Sequence, residues 1–121
     1  MKIPGPDHPI TITANPNRVK VTLGGRVIAD TTRALTLREA SYPPVHYIPR
    51  EDADMTLLTR TAHATHCPYK GDASYFSVVA AEQISKNAVW SYEQPYAAVA
   101  AIKDHLAFYP NRVDEIEELS A

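Results

Sequence analysis

From Ile10 onward apolar and polar residues alternate singly, and turn-forming residues cut the alternation into short lengths. Ile10, Ile12 and Ala14 alternate with Thr11 and Thr13, and Val19, Val21 and Leu23 alternate with Lys20 and Thr22. Successive strand side chains point to opposite faces, so this pattern predicts half-buried β-strands and excludes a helix. Asn15-Pro16-Asn17 reads as the first turn. Gly24-Gly25 reads as the second, because both glycines can take the positive φ that a two-residue hairpin needs. A third strand over residues 26–31 completes an expected antiparallel meander.

Further strands are expected over residues 35–40, 45–48, 55–60, 75–80, 88–92 and 106–109, where β-branched and aromatic residues cluster. Pro43-Pro44 interrupts pairing. Pro49, Arg50, Glu51 and Asp52 suit one helical turn, with proline at its entry and acids near its N-terminus. Pro95 opens an alanine-rich stretch, residues 96–102, read as a short helix. The expected fold class is therefore mainly β (α+β): a curved antiparallel sheet or open pseudo-barrel with one short covering helix. Residues 1–9 read as an extended lead-in with three prolines, residues 10–113 as a single β-rich domain, and residues 114–121 as a solvated acidic tail.

Composition narrows the functional classes. With 121 residues and 45% hydrophobic content the chain can bury one core. Its 12 basic and 14 acidic residues give a formal charge of −2, so neither nucleic acid nor an anionic membrane surface is an expected partner. One cysteine, Cys67, precludes an internal disulfide. No apolar run approaches a membrane span, and the proline-rich start lacks the apolar stretch of a signal peptide, so a cytoplasmic protein is expected.

Reactive residue types concentrate in residues 61–76. Pro68 to Gly71 reads as a hairpin turn joining two core strands, which would bring Cys67 and Lys70 near each other at its tip. Alternation then puts His63, Thr65 and Cys67 on one face and His66 on the other. Cys67 is a candidate nucleophile if Lys70 and a histidine such as His46 or His63 activate it; otherwise it is a small buried hydrophobe. Adjacent His66 and Cys67, without a CxxC partner, make poor zinc ligands, so no metal is expected, and no cofactor signature is present.

Lys70 and Arg50 are the stronger candidates for holding a ligand. Both sit at expected turns near aromatic residues, and Tyr47, Tyr75, Trp90 and Tyr92 can supply the walls of a shared pocket. The leading expectation is a small anionic or aromatic ligand in a basic, aromatic-lined pocket. One alternative is a transferase or hydrolase using Cys67 or a tyrosine with Lys70 and Asp52 as acid–base partners. Another is a protein interaction module using a sheet edge or aromatic patch. The oligomeric state is not legible.

Cys67-Pro68-Tyr69-Lys70-Gly71 with Ala73 and Tyr75, Tyr47-Ile48-Pro49 with Asp52, and Trp90-Ser91-Tyr92 with Pro95 together resemble the bacterial domain of unknown function 427 family. The resemblance runs from about Ile10 to Val113. It implies a small, mostly β pseudo-barrel, and a nucleotidyltransferase-like label comes with it. Nucleotidyl transfer ordinarily needs carboxylates holding Mg²⁺ beside a phosphate cradle. Neither a G-x-x-x-x-G-K-S/T run nor a paired-carboxylate motif occurs here, and Asp52, Asp54 and Asp72 can meet only through the fold.

Overall fold

The computed structural model describes residues 1–120. Among these residues ten strands follow one another: β1 (Ile10–Asn15), β2 (Arg18–Leu23), β3 (Arg26–Thr31), β4 (Ala34–Glu39), β5 (Val45–Tyr47), β6 (Leu58–Cys67), β7 (Gly71–Ala80), β8 (Gln83–Tyr92), β9 (Ala107–Phe108) and β10 (Glu115–Leu119). They form three antiparallel sheets with the orders β1-β4-β5, β10-β2-β3 and β6-β7-β8-β9. The mainly β class expected from the alternation is the fold observed. None of these orders closes on itself, so the architecture is a set of curved open sheets and not a barrel.

The helical content is slighter than the alanine-rich stretch implies. Ala97–Ile102 forms only 3₁₀ turns, broken at Val99, whose ψ of 27° leaves the helical range. Val99 and Ile102 are fully buried, so packing sets this segment's path more than alanine's propensity does. Two other short 3₁₀ segments, Arg50–Asp52 and Met55–Leu57, link β5 to β6. Met55 to Leu57 was expected to begin a strand. Asp54 instead accepts a hydrogen bond from the Thr56 amide and caps a turn there.

The expected three-strand meander is half right. β2 and β3 form a hairpin across Gly24 and Gly25, at φ of 60° and 76°. β1, however, pairs with β4 and not with β2. Proline holds φ near −65°, whereas the hairpin turns that match strand twist need positive φ, so Pro16 splays its flanking strands. The Asn17 amide donates to Asn15 Oδ1, and both asparagine side chains donate to Glu118, fixing a corner between two sheets.

Both chain ends depart from expectation. The acidic segment read as a tail contains β10, which pairs with β2 so that Glu117 faces Lys20 and Ile116 faces Val21. Asp114 accepts from the Gly24 amide, tying this segment to the first hairpin. The last residue of the expected tail, Ala121, lies outside the described residues. Residues 1–9 are docked: the Lys2 amide donates to Pro68 O, and the His8 ring stacks on Tyr69 at 4.0 Å.

Two hydrophobic clusters result. The larger is mainly aliphatic, built on Val19, Val21, Ile28, Val78, Val89 and Leu106. The second carries Tyr47, Tyr75 and Tyr92 with Leu37, Val99 and Ile102. Three buried phenols in one cluster bring polar atoms inside, and how those atoms are satisfied defines the site.

Candidate functional site

The β6–β7 hairpin turn forms as the sequence implies, with Cys67 opposite Gly71. Gly71 has φ of 107°, and a side chain there would press on Gln94 O at 3.3 Å. That close approach lets the Tyr96 amide donate to Lys70 O, which clamps the turn and directs Lys70 inward. Lys70 is 9% exposed, and its ammonium donates to Glu39 Oε1 at the end of β4. Glu39 Oε2 is bonded in turn to His8 Nε2 at 2.7 Å. Burial raises the Glu39 pKa, but hydrogen bonds from Lys70 and His8 outweigh it, leaving the carboxyl below its ordinary value.

Beside this pair lies a cavity of about 190 Å³, lined by Tyr47, Tyr75, Tyr92 and Tyr109, by Trp90, and by Lys70 with Glu39. Tyr47 accepts from Trp90 Nε1 at 3.3 Å, and no acceptor takes its own proton among the described residues. Thr65, Tyr75 and Tyr109 form a hydroxyl chain with spacings of 3.0 and 3.1 Å. Three hydroxyls joined by two bonds keep one proton to give elsewhere. The Tyr92 hydroxyl has no hydrogen-bond partner among the described residues, although Tyr92 is only 6% exposed. The Lys70 ammonium lies 5.9 Å from the centre of the Tyr92 ring.

Tyr47, Tyr92 and Tyr109 stay protonated. Burial raises the Tyr47 and Tyr92 pKa values well above the usual tyrosine range, and burial with the Tyr75 hydrogen bond raises Tyr109 to about 12. The cavity therefore presents neutral hydroxyl donors against aromatic walls, with one lysine whose charge Glu39 balances. Such a set can donate hydrogen bonds to oxygen acceptors and is poorly suited to supply a tyrosinate base or nucleophile.

Of the residues singled out in the sequence, Tyr47, Lys70, Tyr75, Trp90 and Tyr92 converge on this cavity. Arg50 does not. Its guanidinium bonds Ser91 Oγ, Glu93 and Asp104 O, and with Arg60 it flanks Glu93 over the Phe76 ring. The pocket is thus less basic than expected. Asp52 also lies apart, held by Arg33 and Thr31, so it is not an acid–base partner of Lys70. Cys67 is half-buried against the tyrosine cluster, and no hydrogen bond joins it to Lys70 or to a histidine.

Each remaining titratable candidate has its own partner. His46 bonds Thr36 and Glu118, His63 meets the Tyr75 ring edge-on at 4.5 Å, and His66 bonds Asp72. Asp52, Asp54 and Asp72 thus end on separate partners, Arg33, Thr56 and His66. Among the described residues no group of three His, Cys, Asp or Glu is placed to hold a metal ion. No helix among them is long and apolar enough to cross a membrane.

Sequence reasoning missed Glu39, His8, Tyr42 and Tyr109. Tyr109 was within reach, because it ends the aromatic stretch that returns to the sheet. Glu39 and His8 carried no local signal, since their roles depend on pairing of β1 with β4 and on the docked N-terminal segment.

A mainly β domain of open antiparallel sheets, with a tyrosine-lined cavity beside a buried lysine–glutamate pair, is the class that fold and site define. The chain belongs to the family described as domain of unknown function (DUF427), whose model matches residues 11–119. No curated protein matches it.

Proposed function

We propose that this domain binds a small, single-ring molecule carrying a carboxylate or carbonyl oxygen, seated in the tyrosine cavity. The observation that carries the reading is the unpartnered Tyr92 hydroxyl. Among the described residues no fully buried side-chain oxygen or nitrogen lacks a partner, so this hydroxyl opens to the cavity and is free to donate to a molecule seated there without giving up a protein bond. Tyr47 offers a second free proton beside it, and Lys70 retains ammonium protons not used by Glu39. The ring walls of Trp90, Tyr75 and Tyr109 favour a planar body.

Volume limits the choice. A cavity of roughly 150 Å³ accommodates benzene. The 190 Å³ here takes one ring with a small substituent. Asp52, Asp54 and Asp72 end on separate partners and make no paired-carboxylate site, so nucleotidyl transfer is not part of this reading.

Thermal unfolding against benzoate, single-ring ketones and nucleotides tests it. Ring acids and ketones should raise the melting temperature in a concentration-dependent way, because a ligand of the native state stabilises by mass action. Tyr92→Phe removes an unpartnered hydroxyl, so the free protein should melt as wild type does. Affinity for benzoate should fall about ten-fold or more, the weight of a hydrogen bond to a charged group. Stabilisation by nucleoside triphosphates with none by ring acids or ketones would overturn the proposal.

A further inference from the structure

The geometry points to an amphipathic ligand, a ring acid or ketone whose alkyl substituent runs from the tyrosine cavity into an adjoining apolar one. This rests on the function proposed above and specifies the ligand's other end. A second cavity of about 420 Å³ shares Tyr42, Pro43, Val45 and Trp90 with the first. Its remaining walls are mainly aliphatic or aromatic, from Val19 and Val21 of β2 to Phe108 of β9 and Ile116 of β10.

The ring nitrogens in that wall are already engaged. Both His46 ring nitrogens are taken, by Thr36 and by Glu118, and the Trp90 indole donates to Tyr47. Pro43 and Pro44 form part of the wall between β4 and β5, and proline has no amide proton to strand against hydrocarbon. The surface offered is therefore dry in character and suits an alkyl chain better than water. The two cavities adjoin across four shared residues, and this adjacency argues for one ligand with a polar ring at one end and a chain at the other. Scaled from benzene in roughly 150 Å³, or about 25 Å³ per carbon, the second cavity has room for a chain of up to about seventeen carbons.

A series of 4-alkylbenzoates from methyl to octyl, titrated while following Trp90 fluorescence, tests this. Affinity should rise about three- to four-fold per added methylene, the factor for burying that group in an apolar site. Ile116→Phe or Pro110→Phe, each checked for native melting, should narrow the second cavity and flatten the rise while leaving benzoate affinity unchanged. If benzoate binds but longer chains gain nothing, the inference falls and the proposed function stands. If the rise persists unchanged in both narrowed variants, the chain lies elsewhere and the inference is again overturned. Absence of binding by benzoate and by every homologue would sink both.

Discussion

Lys70→Met is expected to destabilise the domain by about 2–3 kcal/mol, whereas Lys70→Met combined with Glu39→Leu recovers at least half of that loss. The reason is asymmetry in buried ion pairs. Forming such a pair contributes little, because desolvation of two charges offsets their attraction, but removing one partner strands the other. The Lys70 and Glu39 side chains are 11% and 12% exposed, so the stranded carboxylate keeps little water. His8 remains on its second oxygen, which places the loss below the full 3–5 kcal/mol range for a broken buried pair. At roughly 4 °C per kcal/mol for a domain this size, the single variant should melt about 10 °C lower.

The same pair has a definite pH signature. The Glu39 pKa is lower in the folded chain than in the unfolded one. Its contribution is therefore present above the unfolded value and is lost as pH falls through the folded value. The gap between wild type and Lys70→Met should narrow in acid. A gap that widened in acid would mean that Glu39 is not the group Lys70 serves.

The second large effect belongs to Glu93, which lies outside the cavity. Hydrogen bonding from Arg60 lowers its pKa most, burial opposes, and hydrogen bonds from Arg50 and Ser74 add to the lowering, bringing it to about 2. Because the folded value lies below the unfolded one near 4.3, this stabilisation is complete above that pH and drains away towards pH 2. The side chain is 28% exposed, so solvent screening reduces the contribution to about 2 kcal/mol. Glu93→Gln should cost about that much at pH 7 and almost nothing at pH 2 by urea denaturation. An equal loss at both pH values would show that Glu93 acts through packing and not through its charge.

Glu93 also explains why Arg50 was misread. A basic residue at a turn, near aromatic residues in sequence, looks available for a ligand. Its actual partners, Ser91, Glu93 and Asp104, are more than forty positions away in sequence, and no local pattern foretells that meeting. Features set by local backbone chemistry were legible: the Gly24-Gly25 hairpin, the Pro68–Gly71 turn and the Arg50–Asp52 turn. Features set by long-range pairing were not. Pro16 carried enough information to argue against a hairpin, but only turn geometry, not composition, reveals that β1 must leave for another sheet.

The C-terminal strand shows the same limit from another side. Glu115, Glu117 and Glu118 dominate the local composition and suggest solvent. Ile116 nevertheless packs against the larger core cluster, and Glu117 faces Lys20 across the sheet. An edge strand carrying charge is a common way to keep a sheet from pairing with other chains, so acidity and strand are compatible. In the cavity, the aromatic residues were legible because they fall on expected strands, whose rings pack inside a small β domain. Lys70 was legible from its turn. Glu39, which neutralises it, was not, and this changed the expected pocket from basic to neutral and donor-rich.

Trp90 is the chain's single tryptophan and lines the tyrosine cavity, so one indole N–H resonance reports directly on the central claim. Titrating benzoate into ¹⁵N-labelled protein should shift that resonance saturably in wild type, with weaker saturation in Tyr92→Phe. An indole resonance that stays fixed up to millimolar benzoate, in protein that melts as the native domain does, would contradict a ligand site in this cavity.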